Sequence, residues 1–264
     1  MAGVDAARTI ATMPSATAHL HDFGTGQTEP QLFACSDGVD RVLKLQGIAP
    51  GSSLASDWVG SLLAVALQVH TPAPVLVDVD EVAIATLARA QRDRARPGVA
   101  FATTYVRTSS TVIGLSTITA CPNHAELLSR LLILDMWIGT EDRMNPDFGR
   151  NLLVDNVDGT RSLMAIDFGM AFAPVLFKMV GAQPDAAHIS FRFPPGIRPL
   201  LAREHVRSAI SDAEAITQAA LVRYASTTPS DWIGDETKSA LVSFLLARQP
   251  HLRATVSQVL GLSV

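Results

Sequence analysis

Apolar and polar positions alternate with period two where the chain's first legible segment begins. In Pro30–Gly47, PQLFACSDGVDRVLKLQG, two apolar-rich runs flank Ser36-Asp37-Gly38. That is turn chemistry between strands, and the segment is predicted to be a β-hairpin. Along its second strand the alternation sets Val42 and Lys44 on one face and Leu43 and Leu45 on the other. A lysine thus stands inside an apolar strand. The next segment, residues 50–74, switches to helical spacing. Leu54, Trp58, Leu62, Val65 and Val69 fall on one stripe, with Ser52 or Ser53 as N-cap and the prolines of His70-Thr-Pro-Ala-Pro as the stop. Residues 75–87 are expected to begin as a strand, ARAQRDRARPG (88–98) to be a charged helix end or loop, and 98–106 to be another strand.

A second pattern starts at Cys121. Residues 121–139 are apolar almost all round, which predicts a long, central, buried helix. Asn123 followed by Glu126 suits a capping box. Asp135, inside this helix, is expected to make a structural hydrogen bond to the following loop. Beyond it, NLLVD and SLMAID form a small hairpin turning at Asn156-Val-Asp-Gly, and helices are expected over about 209–225, 236–248 and 250–260. A β-rich front followed by a helical back predicts an α+β fold of two lobes with a cleft between them. The lobes are expected to be residues 1–108, which would hold a nucleotide, and residues 109–264, which would be catalytic and helical.

Composition narrows the function. Of 264 residues 48% are hydrophobic, enough for a sizeable core. The net charge of −4 argues against a dedicated nucleic-acid binder, which needs a basic surface. No apolar run reaches the roughly 18–20 residues of a membrane span. The N-terminus lacks the pattern of a secretory signal, and its first dozen residues are expected to be loosely held. Cys35 and Cys121 are too few for a disulfide framework or zinc site and suit reduced thiols of a cytoplasmic protein. His19 and His21 have no third ligand near them in sequence. Asp22-Phe-Gly24 is set aside as a metal site because no strand is expected before it. Trp58, Trp137 and Trp232 are assigned to core packing.

The candidate chemistry lies in residues 139–172, GTEDRMNPDFGRNLLVDNVDGTRSLMAIDFGMAF. Asp142, Asn151 and Asp167 each stand at the edge of an apolar run. Phosphoryl transfer asks little covalent chemistry of a protein. It needs a cation on the phosphates, hard oxygen ligands for magnesium, and a group that positions the acceptor hydroxyl. Two carboxylates and an amide supply the last two requirements, and Lys44 supplies the first.

The successive motifs TEDR, GRNLLV and MAIDFG resemble the active-site segment of HipA-like kinases, and of phosphoinositide kinases. DGVDRVLKL resembles the nucleotide-lobe hairpin of that family, and LASDWVGSLLAVALQVHTPAP the helix after it; the likeness covers about residues 24–172. The resemblance implies a protein-kinase-like fold and an ATP- and Mg2+-dependent enzyme acting on a hydroxyl acceptor, with protein Ser/Thr as first choice. A small-molecule or lipid kinase is the alternative among enzymes, and a pseudokinase module working through a protein partner is the alternative outside them. It further implies Asp142 as catalytic aspartate, Asn151 and Asp167 as magnesium ligands, and Lys44 on the α/β-phosphates. Gly24-Thr-Gly26-Gln would cover the phosphates, and Tyr105-Val106-Arg107 would be the hinge receiving adenine.

Three departures from the family pattern stand out. More chain separates Asp142 from Asn151 than is usual, and Met144–Asp147 is read as an insertion, which leaves Asn145 and Asp147 as competing ligands. Met144 stands where the family often has His. The lysine's acidic partner is matched by Asp57, one methylene shorter than the usual Glu; Asp57 either pairs with Lys44 or faces solvent.

Overall fold

A computed structural model describes residues 13–24, 28–107, 109, 114–140, 151–177 and 196–261. The chain divides into two compact units. Met1–Leu54 and Ala73–Tyr105 make the first, and Ala55–Pro72 and Val106–Val264 the second.

Five strands build the first unit: β1 (Ala16–Asp22), β2 (Gln31–Cys35), β3 (Arg41–Lys44), β4 (Pro74–Val79) and β5 (Gly98–Thr104). They form an antiparallel sheet in the order β1-β2-β3-β5-β4. The outer strands approach each other at one end, where Asp78 N–H donates to the Pro14 carbonyl at 2.9 Å. Strand alternation dictates the core. Phe33 and Cys35, Leu43 and Leu45, Val77 and Val79, and Ala100 and Ala102 all turn to one side. Helix α2 (Glu81–Ala85) covers that side with Ala83 and Ile84, and Asp80 caps it by accepting from Ala83 N–H. Helix α3 (Arg89–Arg92) follows in the same connection.

Strand β1 was not expected, and it directly precedes Asp22-Phe-Gly24, so the ground on which that motif was set aside does not hold. Its oxygens are nonetheless engaged by amides: Gly24 N–H at 2.8 Å, Gln31 Nε2 at 3.3 Å and Gln91 Nε2 at 2.7 Å. His19 likewise sits 2.9 Å from Gln31 Oε1. The His-x-His spacing of β1 is strand alternation.

Helix α1 (Gly51–Ala66) crosses the division between the units. It begins before Ser52 and Ser53, so neither serine is the N-cap. It ends where Gln68 turns left-handed, φ 56°, and Val69 N–H donates back to Ala64 O, ahead of the prolines expected to stop it. In the second unit α4 (Leu115–Thr119) precedes α5 (His124–Ile138), whose residues from Leu127 onward are buried without exception. The hairpin is β6 (Leu152–Val157) with β7 (Thr160–Ala165). Its tight turn has positive φ at Asp158 (52°) and Gly159 (79°), the twist that suits antiparallel strands. After α6 (Ala173–Leu176) come α7 (Arg203–Ala215), α8 (Gln218–Ser226), α9 (Asp235–Arg248) and α10 (Leu252–Leu260). The single helix expected over 209–225 is thus two, because Ile216 is extended and Thr217 caps α8 by accepting from Ala220 N–H.

The capping box expected at α5 does not form. Asn123 is the N-cap residue but makes no side-chain bond to its own helix. Its amide lies along β7, where Nδ2 donates to Leu163 O and Oδ1 accepts from Leu163 N–H, both at 2.8 Å. Glu126 turns to Arg130 instead, at 3.2 Å. Asp135 is buried, and its main-chain carbonyl accepts from Thr140 N–H at 3.0 Å. The three tryptophans are buried; Trp58 donates to Thr227 Oγ1 and Trp137 to Leu245 O, both at 2.9 Å. Burial raises the pKa of both cysteine thiols. Among the described residues no helix is long and apolar enough to cross a membrane. The expectation for the first dozen residues falls outside the described residues.

Arg130 ties the second unit together. Its guanidinium donates to Leu67 O at the end of α1 (3.0 Å) and to Asp212 of α7 (2.8 Å). It is 7% exposed, whereas Glu126 is 48% exposed. Arg130→Ala strands a buried carbonyl and a half-buried carboxylate and is expected to cost about 2–3 kcal/mol in equilibrium unfolding. Glu126→Ala is expected to cost under about 1 kcal/mol, as exposed ion pairs do.

Candidate active site

The hairpin β6–β7 brings two of the expected oxygen ligands to one end. Leu152 pairs with Ala165, and one step further out Ile166 N–H donates to Asn151 O at 3.0 Å. Asn151 and Asp167 therefore enter and leave the hairpin side by side, both half-buried. Asp167 is left-handed, φ 61°, and its Oδ1 accepts from Gly169 N–H at 3.2 Å. This turn throws the carboxylate off the strand line, a conformation Asp tolerates better than most residues. A carboxylate and a side-chain amide are hard oxygen donors of the type that suits a divalent cation such as magnesium. Among the described residues no group of three or more His, Cys, Asp or Glu could hold a metal ion.

Helix α1 holds this turn from behind. Phe168 N–H donates to Asp57 Oδ1 at 2.9 Å. Ser56 Oγ lies 2.8 Å from Phe168 O and 2.7 Å from Ala171 O, so its one proton is shared between two carbonyls. Ser56, Asp57 and Phe168 are all at most 1% exposed. Gly60, one helical turn on, leaves room for the Phe168 ring; a Cβ there would stand 2.6 Å from Phe168 Cβ. Asp57 is thus not a solvent-facing carboxylate. Ser56 and Gly60 had gone unassigned, although small residues four apart on an apolar helix already signal close approach of another backbone.

The chain after α1 supports the same hairpin from its outer edge. Ala165 N–H donates to His70 O at 2.8 Å, and His70 Nδ1 lies 2.9 Å from Leu163 O, which assigns the proton to Nδ1. With Asn123 on the other side of Leu163, both main-chain groups of Leu163 and the N–H of Ala165 are occupied along the outer edge of β7. At the far end of the turn, Phe172 N–H donates to Ile138 O (2.8 Å), which ties the turn to the end of α5. The chain that carries Asp142, Asn145 and Asp147 runs between Thr140 and Asn151, and these three residues lie outside the described residues.

In the first unit Lys44 is buried on β3, opposite Phe101 of β5 and on the face away from Leu43 and Leu45, as alternation requires. Gly24 follows β1, its N–H on Asp22. Gly26 lies outside the described residues. Tyr105 closes this unit: its N–H donates to Asp40 O at 3.0 Å, and its ring stands 6.2 Å from that of Phe23. Val106 opens the second unit, its carbonyl accepting from Ser109 Oγ at 2.9 Å.

Comparison with known proteins agrees with this architecture. A family model described as HipA-like kinase matches residues 20–255. Among solved structures, a proinflammatory kinase of Helicobacter pylori, CtkA, is similar at a TM-score of 0.61 and 12% identity, with 95% of this chain and 98% of that chain covered. The Golgi casein kinase is similar at 0.53 and 13% identity, over 94% of this chain and 76% of that one. Its structure with Mn/ADP bound gives 0.54 and 13%, over 95% and 75%. No protein of curated function matches the sequence. The fold is protein-kinase-like, with an antiparallel β-rich front and a helical back.

Packing of Phe168 against Gly60 opposes helix propensity, and the magnitudes decide the outcome. Alanine at an interior helical position gains about 1 kcal/mol over glycine. Overpacking against a buried ring costs about 1–3 kcal/mol. Gly60→Ala is therefore expected to be net destabilising, with a lower denaturation midpoint. Ser56→Ala is expected to lose about 1–3 kcal/mol through its two stranded carbonyls.

Proposed function

Because the chain belongs to the HipA-like kinase family, and is a kinase, we propose that it transfers the γ-phosphoryl group of ATP, with Mg2+, to the hydroxyl of a protein serine or threonine. One observation carries the metal-dependent part: Asn151 and Asp167 stand side by side at the open end of β6–β7, on a turn clamped by α1. Manganese and ADP in the structure of the similar Golgi casein kinase support a divalent ion and an adenine nucleotide here.

In this reading each residue has a task set by its chemistry. Lys44 neutralises the α/β-phosphates as a compact ammonium on a rigid strand. The segment containing Gly24 and Gly26 is assigned to cover the phosphates, as the resemblance implies. Tyr105 and Val106, at the junction of the units, receive adenine through the main chain. Asp57 is the acid assigned to support Lys44, as the resemblance implies. Asn151 and Asp167 hold magnesium, which when bound offsets charge developing on the β- and γ-phosphates. Asp142 accepts or orients the proton of the acceptor hydroxyl. The two lobes are taken as residues 1–108 and 109–264, except that Ala55–Pro72 clusters with the second. A cytoplasmic location is part of this proposal.

A test separates the roles. Asp142→Asn is expected to leave the MgATP-induced thermal shift intact and to abolish transfer of radiolabelled phosphate. Asp167→Asn is expected to remove the magnesium-dependent part of the shift. Full transfer by Asp142→Asn would refute its assignment. A wild-type chain that binds MgATP but neither autophosphorylates nor hydrolyses it would favour a nucleotide-binding module instead.

A further inference from the structure

Two residues with left-handed backbones bracket the turn that follows β7. Asp167 stands before it, φ 61°, and Phe172 after it, φ 58° and ψ 28°. Between them Ala171 N–H donates to Phe168 O at 2.9 Å, which closes a four-residue β-turn. Aspartate tolerates the left-handed region; for a bulky phenylalanine it is a costly conformation. The chemistry above uses Asp167 and leaves Phe172 unexplained. A residue strained in this way persists only where its surroundings over-determine it.

Those surroundings are α9 and the last turn of α5. The Phe172 ring is fully buried and meets the ring of Phe244, on α9, edge to face, with centroids 6.2 Å apart and planes at 79°. One helical turn on, the Arg248 guanidinium lies over the Phe244 ring, 4.8 Å from its centroid. Arg248 Nη2 donates to Met136 O at 2.7 Å, and Leu245 O accepts from Trp137 Nε1 at 2.9 Å. These two bonds register α9 against the end of α5. There the Ile138 carbonyl accepts Phe172 N–H at 2.8 Å. Backbone and ring of Phe172 are thus held by the same pair of helices.

We propose that Phe244 and Arg248 are positioning residues for the metal site: by keeping Phe172 left-handed, they fix the far end of the turn whose near end is Asp167. This rests on reading Asn151 and Asp167 as magnesium ligands. The link between the two ends is short. Ala171 O, in the peptide that joins Ala171 to Phe172, lies 2.7 Å from Ser56 Oγ, which also reaches Phe168 O at 2.8 Å. Release of Phe172 rotates that peptide and pulls its carbonyl off Ser56. The β-turn then loses an anchor, and the Asp167 carboxylate loses its fixed direction. An ordinary core contact would affect stability alone. This one also sets how well a single carboxylate meets an ion.

The test is calorimetric titration of the full chain with ATP, once with excess Mg2+ and once in EDTA, at a temperature where melting shows each variant folded. Wild type is expected to bind ATP more tightly with Mg2+. Phe244→Leu removes the edge-to-face ring contact at similar volume, and Arg248→Met keeps the stem while removing the guanidinium. Each is expected to lose roughly three- to tenfold of the affinity measured with Mg2+, the effect of partly releasing one strained residue, with the affinity in EDTA unchanged. Arg248→Met decides alone should Phe244→Leu not fold. Leu252→Ala, fully buried on α10, is the control: it is expected to lower the melting temperature and to keep the wild-type ratio of the two affinities. A wild-type ratio in the folded Phe244 and Arg248 variants, or an equal loss in Leu252→Ala, would overturn the proposal. A wild type that binds ATP equally with and without Mg2+ would instead remove the metal site on which it rests.

Discussion

The Phe168 main chain, held on helix α1, is the constraint on which the rest of this site depends. Asp167 can present its carboxylate beside Asn151 only while the chain turns left-handed between β7 and Phe168. That turn exposes an N–H and two carbonyls to a dry interior, where each would cost free energy if left unmade. Asp57 and Ser56 take them up from consecutive positions of one helix, and Gly60 clears the ring that must follow. A small hairpin with a tight turn, marginal by itself, becomes a defined site because its strands and its exit are all tied to longer elements.

Much of this was legible. The period-two runs of residues 31–45 and 98–104, the helical stripe of α1, and the all-round apolarity of α5 each reflect burial, and burial is what those patterns encode. The small hairpin that carries Asn151 and Asp167 at its ends was legible from its two short apolar runs and the Asn156-Val-Asp-Gly turn between them. What escaped was tertiary. Asn123 and Glu126 have the spacing of a capping box, yet Leu163 supplies Asn123 with both a donor and an acceptor, and two good partners outcompete one. The break at Ile216-Thr217 was hidden because amphipathic spacing continues across it. Strand β1 was missed because ATAHLHD, with two histidines and a threonine, carries too few apolar residues for its alternation to stand out; its edge is supplied by Thr86, a residue far away in sequence.

Asp57 and Ser56 show how a resemblance and a geometry complement each other. Family likeness marks one acidic position on α1 and is silent about its neighbour. The geometry gives both a common task at the Asp-Phe-Gly turn.

The central claim is that Asn151 and Asp167 share one divalent ion. A crystal structure of the full chain with manganese and a non-hydrolysable ATP analogue, with anomalous data collected for manganese, tests it most directly. The account predicts one anomalous peak in contact with the Asp167 carboxylate and the Asn151 amide oxygen, at about 2.0–2.2 Å, the range of hard-oxygen ligation. A peak held by Asn145 or Asp147, with the Asn151 side chain turned away from it, would contradict the account.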